Sequence, residues 1–277
     1  MLKTEQRNPK SANIDKASTR EMLSIMQDEN ENAMKAVRSA LGSIEKAVDV
    51  AAEKIKAGGR IIYVGAGTSG RLGILDAAEC PPTFGVSPET FVGVIAGGER
   101  AVFNAAENKE DIKEDGEKAI KDLGVCKNDA IIGISASGGA KFVVGALCEA
   151  KKRGAAAISI TSNDDTPVAA VSDVKIVVDT GAEVITGSTR LKAGTAQKVI
   201  LNMISTAVMV KCGYVYENLM INLKPSNEKL KRRVVGIVSE LTGEPQDAAE
   251  KLLENNQWDI RKAVRYPEKG MALIIKE

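Results

Sequence analysis

The 277-residue chain contains no histidine. That absence excludes a Ser-His-Asp triad, a Cys-His dyad and every His-ligated metal site. Proton transfer near neutral pH must then fall to Glu, Asp, Lys, Tyr, Cys or water, which leaves carboxylate acid–base catalysis or simple binding. Aromatic residues are scarce, 3% of the chain, too few for a base-stacking platform. Lys plus Arg (38) and Asp plus Glu (37) nearly cancel, so no global field draws the chain to nucleic acid or to a membrane. No stretch approaches the ~20 apolar residues of a membrane span. The start, Met1-Leu2-Lys3-Thr4-Glu5-Gln6-Arg7, lacks the apolar core of a signal peptide. Cys80, Cys126, Cys148 and Cys212 stand apart with no C-x-x-C pair. Neither a zinc knot nor a disulfide framework is expected, and a reduced cytoplasm is the expected location.

What is present is an alternation of elements. Ser18 and Glu21 have the spacing of a capping box, followed by Met22, Leu23, Ile25 and Met26 as an apolar face. A second helical stretch over about 30–57 places Val37, Leu41, Ile44, Val48, Ala51 and Ile55 at three- and four-residue steps and ends at Gly58-Gly59. Five short β-branched runs follow, at 60–64, 91–95, 130–134, 155–160 and 174–178, with helical segments between them. They lack polar alternation, as strands buried on both faces do. The chain therefore reads as α/β, a doubly wound five-stranded parallel sheet, closed by a long helix over about 188–212. Three short helices are predicted at 226–241, 245–253 and 258–264, separated by Thr242-Gly243 and Asn255-Asn256. The expected organisation is an N-terminal helical segment (1–57), a ligand-binding α/β domain (58–222) and a small C-terminal three-helix appendage (223–277).

Three loops stand out because each follows a predicted strand, where an open α/β sheet binds its ligand. The first is Gly65-Ala66-Gly67-Thr68-Ser69-Gly70-Arg71. Its glycines allow close backbone approach, and the following helix offers free N–H groups. It lacks the Gly-Lys-Ser/Thr of a Walker loop and is a poor dinucleotide fingerprint. The second, Ser135-Ala136-Ser137-Gly138-Gly139, repeats the order strand, hydroxyls and glycines, helix; phosphate or a sugar hydroxyl is the expected guest. The third runs from Gly181 through Glu183 and Ser188 to Arg190 and Lys192, entering the long helix. Cations at a helix start oppose the dipole, so a nearby anion is predicted. Two further carboxylates read on composition as solvated surface acids. Glu79 sits in Asp76-Ala77-Ala78-Glu79-Cys80-Pro81-Pro82, at a helix end stopped by two prolines. Glu110 sits in the charged run Glu107-Asn108-Lys109-Glu110-Asp111.

These runs resemble the N-acetylmuramic acid 6-phosphate etherases. The resemblance is carried by 65–70, by Leu75-Asp76-Ala77-Ala78-Glu79-Cys80-Pro81-Pro82-Thr83-Phe84-Gly85, by Ile95-Ala96-Gly97-Gly98-Glu99 and by Gly181-Ala182-Glu183-Val184-Ile185-Thr186-Gly187-Ser188. Lys192-Ala193-Gly194-Thr195-Ala196-Gln197-Lys198, Glu217-Asn218-Leu219-Met220 and Thr4-Glu5-Gln6-Arg7-Asn8-Pro9 extend it over nearly the whole chain. The wider class is the sugar isomerase (SIS) fold. The resemblance implies elimination of the lactyl ether at C3 of the sugar, then water addition, giving N-acetylglucosamine 6-phosphate and D-lactate. It implies Glu79 as acid and Glu110 as base, and substrate contacts from Thr68, Ser69, Ser135, Ser137, Gly138, Glu183, Ser188 and Lys192. It implies no metal and no cofactor. Where the family commonly continues Ser-Gly with Arg-Thr-Pro-Tyr, Gly138 is followed here by Gly139-Ala140-Lys141-Phe142; a guanidinium and a hydroxyl are missing, and Lys141 is the candidate replacement. The C-terminal segment resembles a ubiquitin-associated three-helix bundle in shape, with packing as its expected role.

A non-catalytic sugar-phosphate regulator of the SIS class and an aldose–ketose isomerase are the competing readings. Glu79 and Glu110 favour the etherase over the first, and the Cys80-Pro81-Pro82 match favours it over the second. A helix from Ser69 to Glu79 would separate the first loop from that carboxylate by about 15 Å, too far for one hexose phosphate to span. Either that helix breaks early, or Glu79 serves a site built around a partner's loops. SIS domains are commonly paired, so a homodimer with shared active sites is expected.

Overall fold

The computed structural model describes residues 2–106, 108–223, 225 and 227–264. Five strands, β1 (Ile61–Gly65), β2 (Phe91–Ile95), β3 (Ala130–Ile134), β4 (Ala156–Thr161) and β5 (Val174–Val177), pair in the order β2-β1-β3-β4-β5. All four pairings are parallel. The helices are α1 (Thr19–Ser39), α2 (Leu41–Lys56), α3 (Gly67–Phe84), α4 (Arg100–Phe103), α5 (Lys113–Asp122), α6 (Lys141–Lys152), α7 (Pro167–Ala170), α8 (Lys192–Lys211), α9 (Glu228–Thr242), α10 (Gln246–Asn255) and α11 (Ile260–Ala263).

The apolar runs form central strands because successive residues feed opposite layers. Ile61, Tyr63, Ile132, Ile134, Ile158 and Ile160 pack with α1, α2, α3 and α8. Their neighbours Ile62, Val64, Ile131 and Ala157 pack with α5 and α6 on the other face. The sheet is thus doubly wound, as the unalternating runs predict. The N-terminal helices belong to the first of these cores, through Ala33, Val37, Ile44 and Ala51.

Two helix boundaries differ from expectation. The capping box at Ser18 and Glu21 forms in both directions, but α1 continues to Ser39 and the break falls at Ala40. Glu29 and Ala33 are buried on its inner face, so tertiary packing carries the helix through its polar middle. Likewise, the two prolines do not stop the helix that bears Glu79. It runs through Pro81 and Pro82 and ends at Gly85, which takes a left-handed conformation. Proline inside a helix removes a hydrogen bond; here α3 lies against both β2 and α8, and that packing outweighs the loss.

The C-terminal helices build a separate apolar cluster from Val234, Val238, Ala249, Leu253 and Ile260, which also takes in Ile221 and Leu223. Asn222 Nδ2 donates to the carbonyl of Phe84 at 2.9 Å, and Arg261 Nε donates to Asn222 Oδ1 at 3.2 Å. The bundle therefore docks beside the end of α3, away from the carboxyl ends of the strands. The expected helix start at Ser226 and the stretch after Val264 lie outside the described residues. Among the described residues no helix is long and apolar enough to cross a membrane.

Candidate active site

The first loop closes tightly. A Cβ on Gly70 would lie 2.8 Å from the carbonyl oxygen of Gly65 and 2.6 Å from Ile95, so this strand-to-helix turn needs glycine there. Ser69 is buried, and its hydroxyl donates to Gln197 Oε1 at 2.9 Å. That bond ties the turn to α8 and turns Ser69 inward. Thr68, half-buried, lies beside Gly194 at the start of α8.

The second loop is held from below and open above. Ser135 is buried, its N–H donates to Ile160 O at 3.0 Å, and its Oγ accepts from Gly138 N at 3.1 Å. Gly138 has φ of +77°, and a Cβ there would meet Thr166 at 2.4 Å. Ser137 is half-buried and its Oγ accepts from Gly139 N at 3.2 Å. Helix α6 then starts at Ala140 without a side-chain cap, leaving its first N–H groups for a ligand or water. Beneath the loop, Asn163 donates to the carbonyls of Ala136 (3.1 Å) and Ser137 (3.3 Å) and to Thr4 Oγ1 (3.1 Å). Its own Oδ1 accepts from Lys3 N at 2.7 Å. The N-terminal segment thus braces the loop, a role that its motif did not reveal.

Glu110 lies exposed on a short 3-10 turn (Lys109–Asp111) between these loops. With Ala66, Gly67, Arg71, Ala96 and Asn108 it lines a cavity of about 180 Å³ at the carboxyl ends of β1 and β2. The same turn packs against α6, and Lys141 Nζ stands 3.7 Å from Asp111. Arg71 holds the preceding segment by donating to the carbonyls of Val102 (2.8 Å) and Asn104 (3.0 Å). Glu110 is therefore brought beside the first loop, and its turn lies against the start of α6.

The third loop is organised inward. The Glu183 carboxylate is fully buried and accepts from the N–H groups of Lys192 and Ala193, both at 3.0 Å, so it caps α8. Burial raises its pKa, and those two N–H bonds oppose the rise. Lys192 is also buried and its ammonium pairs with Glu29. Glu29 accepts in addition from Asn8 (2.8 Å) and Asn32 (3.2 Å). Burial works against the Glu29 charge, but the bonds from Lys192 and Asn8 prevail and hold its carboxyl below the usual range. The anion predicted near Lys192 is thus internal. Of this loop's expected substrate contacts, Ser188 alone remains partly accessible, since Glu183 and Lys192 are closed into the scaffold.

Glu79 stands elsewhere. It is exposed on α3 and lines a groove of about 240 Å³ between α3 and α8, with Leu72, Leu75, Asp76, Lys198, Leu201 and Asn202. Below it, Asp76 is buried and accepts from Tyr63 Oη (2.7 Å), Asn202 Nδ2 (2.5 Å) and Ser205 Oγ (3.2 Å). The neighbouring Cys80 thiol is pushed up to about 12 by burial and by Asp76, so it is no nucleophile. No residue lines both the Glu79 groove and the Glu110 cavity. A larger cavity, about 960 Å³, runs along β2 between Ile74 and Leu123. Neither Glu79 nor Glu110 lines it. Among the described residues no group of three Cys, Asp or Glu side chains is placed to hold a metal ion.

Comparison with known proteins places the fold and the family. Residues 43–151 match the glucokinase regulatory protein N-terminal SIS domain, and residues 113–207 match the SIS domain. A solved protein of Escherichia coli CFT073 aligns with a TM-score of 0.53 at 20% identity, covering 73% of this chain and 97% of that one. A phosphoheptose isomerase from Francisella tularensis aligns with a TM-score of 0.53 at 16% identity, covering 70% and 99%. At such identities the likeness is one of fold. Two curated relatives are much nearer. N-acetylmuramic acid 6-phosphate etherase 1 of Bacillus licheniformis is 48% identical over 97% of this chain and 97% of its own length. The N-acetylmuramic acid 6-phosphate etherase of Clostridium beijerinckii is 50% identical over 95% of this chain and 86% of its own. With that identity sustained over nearly the whole chain, this chain belongs to the N-acetylmuramic acid 6-phosphate etherase family.

Proposed function

We propose that this chain cleaves the D-lactyl ether of N-acetylmuramic acid 6-phosphate, producing N-acetylglucosamine 6-phosphate and D-lactate. In the open-chain sugar the aldehyde makes the C2 proton acidic. The Glu110 carboxylate takes that proton, the C3–O bond breaks as the C2–C3 double bond forms, and protonated Glu79 gives its proton to the departing lactate oxygen. Water then adds at C3, with Glu79 accepting its proton and Glu110 returning one to C2. The two carboxylates must begin in opposite protonation states. The observation that carries this reading is the exposed Glu110 carboxylate in a cavity beside the glycine turn of the first loop, at the carboxyl ends of β1 and β2. A regulator needs the cavity but no base there.

The phosphate goes to Ser135, Ser137 and the open start of α6, with Gly138 shaping the loop and Lys141 supplying charge. Thr68 and Ser188 reach sugar hydroxyls, while Ser69, Glu183 and Lys192 hold the loops in place from behind. Because Glu79 and Glu110 line separate cavities, the acid comes from a second copy: the active form is a homodimer with shared sites, working in the cytoplasm. The N-terminal helices serve the sheet's core, and the C-terminal bundle serves packing at the far end of α3.

Incubation with N-acetylmuramic acid 6-phosphate in deuterated water tests the reaction. Release of D-lactate with deuterium at C2 of the product is expected. Absence of D-lactate, with the sugar phosphate bound intact, would favour the regulator.

A further inference from the structure

Glu79 on α3 and Lys198 on α8 are opposite charges, both exposed. Glu79 and Lys198 both line the cavity between α3 and α8, yet neither has a hydrogen-bond or ion-pair partner among the described residues. The other two lysines of α8 behave differently: Lys192 pairs with Glu29, and Lys211 pairs with Asp49 at 2.7 Å. Nor can Asp76 neutralise Lys198, since its carboxylate is occupied by Tyr63, Asn202 and Ser205. The groove thus offers a free carboxyl, a free ammonium and the apolar side chains of Leu72, Leu75 and Leu201.

We infer that this groove is the subsite for the departing lactyl group, with Lys198 binding its carboxylate. The inference rests on the etherase reading, which places Glu79 on the ether oxygen. The lactyl group carries three features on one carbon: that oxygen, a methyl group and a carboxylate. Glu79, the leucines and Lys198 match them one to one. By pairing with the incoming carboxylate, Lys198 offsets the repulsion from Glu79 that would otherwise weaken binding. An alkyl ether without a carboxylate would find the methyl surface and the acid but leave Lys198 unpaired.

The test compares two substrates on three proteins: the parent, Lys198→Met and Lys198→Arg. One substrate is N-acetylmuramic acid 6-phosphate; the other is 3-O-ethyl-N-acetylglucosamine 6-phosphate, which lacks only the carboxylate and the branching at the ether carbon. Lys198→Met should lower kcat/KM for the lactyl substrate by about 10- to 100-fold, the range of a charge-assisted contact. The same variant should change the ethyl ether by less than about threefold, and Lys198→Arg should restore most of the lactyl preference. Equal losses on both substrates would mean that Lys198 acts on the fold or on Glu79 itself, and would overturn the inference. Unchanged discrimination in Lys198→Met would overturn it too. A parent protein that releases no D-lactate would instead remove the etherase reading and this inference with it.

Discussion

The two ends of the sheet treat polar groups in opposite ways. At the amino ends of β1 and β3, Arg60 grips Asp129 with two nitrogens, Nη2 to Oδ2 at 2.8 Å and Nε to Oδ1 at 3.2 Å. Asp129 accepts further from the N–H groups of Arg60 (2.9 Å) and Cys126 (3.0 Å). At the carboxyl ends Glu110 is exposed, Thr68 and Ser137 are half-buried, and α6 begins without a side-chain cap. A carboxylate surrounded by donors stabilises the fold; one left open can exchange protons with a ligand. The contrast separates the part of the molecule that maintains the sheet from the part that acts, in keeping with ligand binding outside the strands' carboxyl ends.

The sharpest way to test that separation is to mutate one carboxylate at each end. Glu110→Gln should lower kcat by about 10²- to 10⁴-fold, the usual cost of losing a general base, while thermal unfolding stays at the parent temperature. It should also abolish C2 deuterium exchange, whereas Glu79→Gln should stop lactate release and leave exchange running. Asp129→Ala should do the reverse. Leaving Arg60 half-buried without its partner should cost about 3 kcal/mol in urea unfolding, with kcat near the parent value. A smaller effect is expected at the second loop, where Ser135→Ala/Ser137→Ala should raise KM for the 6-phosphate by about tenfold and spare kcat.

The smallest effect concerns pH. Burial opposes the Asp129 charge, but Arg60 and the two N–H groups prevail and hold its carboxyl below the ordinary value of 3.8. Its folded pKa is the lower one, so its stabilisation is complete above the unfolded value and declines as pH falls through the folded one. Asp129→Asn should therefore flatten the acid limb of stability below about pH 5. A limb as steep as the parent's would place the acid sensitivity on another carboxylate, such as Glu29.

The architecture was readable because β-branched runs buried on both faces have few alternatives to a central parallel strand. The expected β2 and β3 coincide with the observed Phe91–Ile95 and Ala130–Ile134. Pro81 and Pro82 misled because the packing of α3 against β2 and α8 is not local. Glu29 was not foreseen: a single carboxylate on the inner face of a helix leaves no periodic trace, although Lys192 predicts some anion nearby. Gln197 and Lys198 stood inside a quoted motif, but only the packing of α8 against α3 reveals what each faces. The cavities that separate Glu79 from Glu110 are likewise a product of tertiary structure.

That separation makes subunit mixing the most direct test of the central claim, a two-carboxylate etherase site completed by a second copy. Glu79→Gln and Glu110→Gln should each be inactive alone. Unfolded together and refolded, they should give heterodimers in which one site has both carboxylates and the other has neither. With random pairing, about a quarter of the parent's D-lactate release should return. No return of activity, in a sample where heterodimers are demonstrated, would place both carboxylates of each working site on one chain and contradict the account.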